Sequence, residues 1–366
     1  MRTDLYDVVV VGAGMAGLTA ASYAAEQGQR VAVASIGAGA FVLGSGGVEE
    51  RETLALQREP DFTYAMDFFL TLAEAAGTAL AGDLQHTMLL PTLLGNFLPV
   101  QFAPLSVAHA ALNQTRKTRV VGLHGLTGFD ARFLAERFRS EAAQHHLPTE
   151  YEAITIDPGS ALGMPVSTLR VAQAFDRDAA FRTHLADVLR AVKGDADRLL
   201  LPAVLGIESS DTQRTVFEEQ VGCTVGELPT LPPSIPGLRL AHSLQQRLRS
   251  RGVVFLDGYP VERLQLERGL CTGLHIASPG RGFRVAGECV VLASSSALHR
   301  LLEGPVNLDL HHRPLHPNGS PHATNLFAAC LPGSHPSELR GLASRIVAGH
   351  RAALAAWAER GACAAR

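Results

Sequence analysis

Gly12, Gly14 and Gly17 stand at the spacing GxGxxG within DVVVVGAGMAGLTAASYAAEQGQRVAVAS, from Asp7 to Ser35. Glycines so spaced can hold a pyrophosphate. Gly12 permits a tight turn, Gly14 keeps a side chain out of the path of the phosphates, and Gly17 lets the next helix pack close to the preceding strand. Ala13, Met15 and Ala16 complete the fingerprint, and the first N–H groups of that helix would face the anion. Three glycines alone are a weak signal, so the elements that must position them decide the matter. Val8 to Val11 suit a parallel strand buried on both faces, a small-residue helix follows, and Val31 to Ala34 supply a second valine-rich strand. The unit therefore predicts a bound flavin or nicotinamide nucleotide. A glycine-rich turn in an unrelated α/β domain, or a membrane span over residues 8 to 25, are the other readings. The interrupting glycines and the charged start MRTDLYD fit neither a span nor a signal peptide.

One position departs from the fingerprint. Where the second strand usually ends in Asp or Glu to hold the ribose hydroxyls, this chain has Ser35. A neutral hydrogen bond is roughly half as strong as one to a carboxylate. The adenosine ribose is then held less firmly, or by other groups.

With 366 residues and 46% hydrophobic content, the chain is long enough for one large fold or two domains. A net charge of −3 gives no general attraction to nucleic acid or to an anionic membrane surface, so neither is expected as a partner. The five cysteines (Cys223, Cys271, Cys289, Cys330 and Cys363) are odd in number and form no CxxC pair. That points to a reducing cytoplasm and against a zinc or iron–sulfur site, so no metal is expected. Any clusters needed for onward electron flow belong to another subunit.

After the second strand, glycines at 37, 39, 44, 46 and 47 predict a loop that either wraps a flat ring system or lies on the surface; Gly44, Ser45, Gly46 and Gly47 are its candidate cofactor residues. Helical spacing over residues 63 to 82 places Phe68, Phe69 and Leu72 in a core. Short strands are predicted from Leu89, then a buried strand in TRVVGLHGL, and then a helix capped by Asp130 with Phe133, Leu134, Arg137 and Phe138 on one face. A strand YEAITID, a helix near 177 to 191 and a strand in RLLLPAVLG complete an inserted α/β region. Pro229, Pro232, Pro233 and Pro236 predict a rigid crossover that is neither helix nor central strand. A helix from Gly237 to Ser250 leads back to the nucleotide-binding part, followed by a strand and hairpin, a buried parallel strand over 288 to 296, a closing strand in NLFAACLPGS and an alanine-rich helix over 337 to 359.

The fold class expected is α/β: a Rossmann-like FAD/NAD(P)-binding domain of the glutathione-reductase type, built on a parallel sheet from residues 1–64 and 241–366. Residues 65–240 form an inserted α/β substrate or partner domain. In two-part flavoproteins of this kind the backbone at Val261 lies beside the adenine, and Ala293 with Ser294 lines the cofactor crevice. The pyrophosphate turn argues for FAD.

Four motifs, VVVVGAGMAGLTAA, RVVGLHGLTGFDARFLA (Arg119 to Ala135), RLLLPAVLGIES (Arg198 to Ser209) and GCTVGELPTLPPSIPGLRL (Gly222 to Leu240), extend the reading. Through them the chain resembles the FAD-dependent oxidoreductase superfamily, and within it the B-subunit family of anaerobic glycerol-3-phosphate dehydrogenase. The resemblance covers most of the chain and implies that Ser35 is a family trait. It also implies a non-covalent flavin, given as FMN for that family, a catalytic FAD subunit and an iron–sulfur membrane-anchoring subunit as partners, and electron flow from glycerol 3-phosphate to menaquinone or a similar acceptor. The location implied is cytoplasmic, or peripheral at the inner membrane through a partner, with no direct insertion. The chain departs from the family where Cys330 replaces a glycine common in flavoproteins and where the segment from Ser296 to Asn325 is short. The function expected is flavin-dependent oxidoreduction as an electron-transferring subunit. The alternatives are a non-catalytic scaffold with the same fold, or a stand-alone FAD oxidoreductase acting on a small substrate.

Other residues invite chemistry. His311, His312, His316, His322 and His335 make a histidine-rich region that reads as a solvated loop or a metal site. His124 reads as a structural histidine or a proton acceptor. Arg119 and Arg239 read as anion ligands or as surface salt bridges. No arrangement identifies a catalytic residue.

Overall fold

The structure is a computed structural model. It describes residues 5–37, 39–112, 117–147, 149–159, 165–278, 280, 282–304, 306–329 and 341–364. In chain order these form β1 (Leu5–Val11), α1 (Met15–Glu26), β2 (Val31–Ser35), a 3-10 turn (Gly39–Val42), β3 (Val48–Glu49), α2 (Glu50–Leu56) and α3 (Phe62–Ala75). Next come β4 (Leu80–Gly82), β5 (Met88–Pro91), β6 (Phe97–Pro104), α4 (Leu105–Ala108), β7 (Lys117–Leu123), α5 (Ala131–Gln144), β8 (Glu150–Ile156), α6 (Thr168–Arg177) and α7 (Ala179–Val192). They are followed by β9 (Arg198–Pro202), α8 (Asp211–Val221), β10 (Thr224–Leu228), α9 (Ile235–Ser250), β11 (Val254–Asp257), β12 (Val261–Glu267), β13 (Leu270–Ile276) and β14 (Phe283–Leu292). The last are α10 (Ser295–Leu301), β15 (Asn307–Leu308), β16 (Pro314–Leu315), β17 (Leu326–Ala328) and α11 (Leu342–Ala364).

The chain divides into two compact units: residues 1–40, 55–72 and 244–366 form one, and residues 41–54 and 73–243 the other. In the first, a sheet runs β11-β2-β1-β14-β13-β12, with β17 on the open side of β14. Strands β11, β2, β1, β14 and β17 are parallel, while β12, β13 and the start of β14 form an antiparallel meander. Val8, Val9 and Val10 are at most 1% exposed, as a strand covered on both faces requires. Val9, Val11, Val290 and Leu292 face a core shared with Leu274, Ile276 and Leu326. Helix α11 crosses α1 so closely that a Cβ on Gly349 would stand 2.2 Å from the Ala16 carbonyl oxygen. Asn325 ties the strands at one end. Its Oδ1 accepts the Cys271 N–H (2.7 Å), and its Nδ2 donates to the carbonyls of Cys271 (2.9 Å) and Glu288 (2.6 Å).

The second unit carries a parallel sheet in the order β10-β9-β7-β8 and an antiparallel group in which β6 pairs with β3, β4 and β5. Chain order reverses at β7, so connecting helices cover both faces. Leu199 and Leu201 pack with Phe175, Leu185 and Phe217, whereas Leu200 between them packs with Leu134, Phe138 and Tyr151. Asp130 caps α5 as expected, its side chain accepting the Phe133 N–H at 3.0 Å.

Several boundaries differ from the sequence expectation. The helix expected over 63 to 82 ends at Ala75, and β4 occupies its last residues. The helix expected near 177 to 191 is α7, and the unexpected helix α6 precedes it; Asp178 leaves helical geometry between them and caps α7 by accepting the N–H groups of Ala180 and Phe181. Pro236 is not in a crossover but in the first turn of α9, where a missing N–H removes no helical bond. The parallel strand expected through 296 stops at Leu292. Ser294 ends it by capping α10, accepting the Ala297 N–H at 3.4 Å. Cys330 and residues 331–340, including His335 and the start expected for the closing helix, lie outside the described residues.

Candidate cofactor site

In the first unit β1 ends at Val11, and the chain turns at Gly12, whose φ of +114° suits glycine and strains other residues. The turn is held from both sides. The Gly12 N–H donates to the Ala34 carbonyl at the end of β2 (2.8 Å), and the Ala293 N–H beyond β14 donates to the Val11 carbonyl (2.8 Å). A Cβ on Gly12 would stand 2.9 Å from the Ala293 carbonyl oxygen, and one on Gly17 only 1.9 Å from the Gly12 carbonyl oxygen. These two glycines therefore exist for backbone packing. Gly14 is different: a Cβ there would meet nothing within 4 Å. It precedes α1 as an N-cap with no side-chain capping bond and no acidic residue in the first turn, while Met15 and Ala16 are buried. A buried helix start without a capping side chain leaves N–H donors for an anion.

Gly12, Ala13, Gly14, Met15, Ala16, Gly17, Ala293 and Ser294 thus gather at the carboxyl ends of β1 and β14. Ser35 ends β2 beside them, 8% exposed, and Val261 opens β12 in the same unit. Gly44, Ser45, Gly46 and Gly47 belong to the second unit. There Ser45 Oγ accepts the Gly47 N–H (3.2 Å), and a Cβ on Gly46 would stand 2.8 Å from the Pro104 ring. Gly237 lies against the Phe41 and Gly44 carbonyls, 2.0 and 2.8 Å from where its Cβ would be.

The two candidate anion-binding arginines are otherwise engaged. Arg239 is not on the surface. It is 1% exposed and paired with Glu227 at 2.8 Å, and it also donates to Ser106 Oγ (3.0 Å) and the Gly206 carbonyl (2.8 Å). Burial by itself would raise the Glu227 carboxyl, but the adjacent guanidinium outweighs it and holds the pKa down to about 2. Glu227 Oε1 also accepts the N–H groups of Val204 (2.9 Å) and Leu205 (2.8 Å), so Glu227 and Arg239 lock the loop after β9. Arg119 pairs with Glu152 and donates to the Val192 carbonyl. His124 is exposed just past β7. His316 and His322 stack with ring centroids 3.6 Å apart. Among the described residues no group of three His, Cys, Asp or Glu side chains could hold a metal ion, and no helix is long and apolar enough to cross a membrane.

The family model described as an FAD binding domain matches residues 7–295. The chain belongs to the FAD-binding family. FAD is its cofactor, and flavin-dependent oxidoreduction its chemical class. It is similar to the B subunit of anaerobic glycerol-3-phosphate dehydrogenase from Yersinia enterocolitica, 27% identical over 326 residues that cover 80% of this chain and 74% of the relative. It is also similar to the protein of the same name in Glaesserella parasuis, 26% identical over 331 residues covering 80% and 75%. Among solved structures, THI4 of Thermovibrio ammonificans is 11% identical with a TM-score of 0.38, covering 98% of this chain and 90% of that one. A 3-ketosteroid delta1-dehydrogenase from Sterolibacterium denitrificans is 18% identical with a TM-score of 0.34, covering 79% and 47%.

The residues present in this FAD-binding protein fit that cofactor. The open space over Gly14 and the uncapped start of α1 suit a pyrophosphate, and the small residues Ala293 and Ser294 keep the neighbouring strand end open. Sequence reasoning missed Asp257, whose carboxylate stands beside Ser35, because its partner is 222 residues away along the chain.

Proposed function

We propose that this chain is the flavin-bearing, electron-transferring subunit of an assembly that oxidises glycerol 3-phosphate and passes the electrons to a quinone. The observation that carries this reading is the similarity, across four fifths of the chain, to proteins named as the B subunit of anaerobic glycerol-3-phosphate dehydrogenase. In this reading the N–H groups at the start of α1 bind the pyrophosphate, with Gly12, Gly14 and Gly17 shaping the turn. Ser35 lies at the ribose, the Val261 backbone at the adenine edge, and Ala293 and Ser294 along the crevice. Bound there, FAD supplies the hydride and electron chemistry, while the protein supplies binding, orientation and exclusion of water. No residue is assigned a catalytic role. The partners are a catalytic subunit and an iron–sulfur subunit that anchors the assembly at the membrane.

The test is co-expression with those two subunits, affinity capture of this chain, and measurement of bound flavin and of quinone reduction by glycerol 3-phosphate. A yellow complex whose activity depends on this chain supports the reading. A complex that forms with this chain colourless makes it a scaffold. FAD-bound protein that captures no partner makes it a stand-alone oxidoreductase.

A further inference from the structure

The residue that ends β2 in a dinucleotide-binding unit ordinarily carries the carboxylate for the ribose hydroxyls. Here it is Ser35, and the missing charge reappears one strand away. Strand β11 pairs with β2 in parallel so that Asp257 lies opposite Ser35 at the same end of the sheet. The Ser35 hydroxyl donates to Asp257 Oδ1 at 2.8 Å, and the Gly258 N–H donates to the Ser35 carbonyl at 2.8 Å, which fixes the two strand ends together. Arg249 Nη2 donates to Asp257 Oδ2 at 3.0 Å, and its guanidinium rests 4.4 Å from the centroid of the Phe255 ring. Each carboxylate oxygen thus has one donor that sets its direction, yet the side chain remains 47% exposed. An ionised carboxylate has about four lone-pair sites, so two stay open to a vicinal diol. Adjacent strands lie about 4.8 Å apart, so the carboxylate stands one strand spacing from its usual place.

We propose that Asp257 is the ribose-binding carboxylate of this protein, transferred from β2 to β11, and that Ser35 is the positioning residue that orients it. The inference rests on the FAD reading and specifies which group holds the adenosine half. It separates the two flavins, because FMN has no adenosine ribose for Asp257 to bind.

The experiment measures dissociation constants of FAD, FMN and ADP for the full chain, unmodified and as Asp257→Asn, with thermal midpoints of the flavin-free proteins as the check on folding. Asp257→Asn is expected to weaken FAD and ADP by about tenfold or more, the loss of a hydrogen bond to a charged group, and to leave FMN within about twofold. The exchange variant with Ser35→Asp and Asp257→Ser, which returns the acid to β2, is expected to recover most of the FAD affinity. If the unmodified chain binds FAD and Asp257→Asn binds it equally tightly, the assignment is overturned while the FAD reading stands. Equal losses for FAD and FMN overturn it too, because they report a structural effect on the strand ends. An unmodified chain that binds no FAD overturns the flavin reading and the assignment with it.

Discussion

Gly14 and Gly17 are three residues apart, yet a methyl group added at each meets opposite surroundings. At Gly17 it would lie 1.9 Å from the Gly12 carbonyl oxygen, so Gly17→Ala must push α1 off the strand end, at a cost on the order of 1–3 kcal/mol or more. At Gly14 it enters open space, so Gly14→Ala should change stability by about 1 kcal/mol or less while weakening FAD by about tenfold, since the methyl stands where the phosphates approach. Chemical denaturation and flavin titration of the two variants separate these expectations. Buried Glu227 and Arg239 give a third residue-scale expectation. Glu227 is ordinarily at 4.5 and is held to about 2 when folded, so its contribution is full above 4.5 and is lost as pH falls from there towards 2. Glu227→Gln should lose about 3–5 kcal/mol at neutral pH by leaving the guanidinium uncompensated, and should show a flatter stability profile over that acid range in urea titrations. At this scale the fingerprint glycines were legible because their function depends on the local backbone. The pairing of Arg239 was not, since nothing in a linear sequence says which carboxylate will share its burial.

Helices α1, α3 and α11 meet around His350, which is 0% exposed with neither ring nitrogen hydrogen-bonded. Tyr23 and Tyr64 stand edge-on to it at 5.0 and 5.1 Å between ring centroids, with Phe68 at 5.5 Å. Burial pushes its pKa below the ordinary 6.5; the Asp61 carboxylate pulls the other way, and Arg351 adds to the depression. The unfolded chain therefore binds the proton first. Stability is whole above 6.5 and declines as pH falls below it, and His350→Leu should remove that slope in melting curves taken between about pH 7 and pH 5. Next to it Arg351 bonds Asp61 through Nε at 2.7 and 2.9 Å and Glu59 through Nη2 at 2.8 Å, joining α11 to the turn before α3. Helix and strand identities in this region were legible from periodicity, as at Val8 to Val11 and around Phe69. Boundaries were less so, because caps such as Asp178 and Ser294 act through a few hydrogen bonds that periodicity does not report.

The whole molecule consists of two α/β units, each with its own parallel sheet, assembled from interleaved chain segments. The first is made of three segments, and the middle one, residues 55–72, brings Tyr64 and Phe68 of α3 against His350 of α11, with Phe68 also against Tyr23 of α1. FAD that binds only the folded state should raise the stability of the unit that holds it by about 2.7 kcal/mol at a hundred times its dissociation constant. Scanning calorimetry with and without FAD should show a midpoint raised by several degrees, and FAD without any effect would count against the cofactor site.

The amino-acid sequence by itself determined the β1-α1-β2 unit, the FAD expectation and the family resemblance. Each rests on residues close together in the chain, whose meaning comes from backbone geometry and burial period. Only the tertiary structure decided that Arg239 is a buried ion-pair partner, that Gly44 to Gly47 pack within the second unit, and that Asp257 stands beside Ser35. Those facts depend on strand order and on which side chains are buried together, across 12 residues for Arg239 and Glu227 and across 222 for Ser35 and Asp257. Such pairings follow from which faces must be buried together, and local patterns of residues carry no record of them.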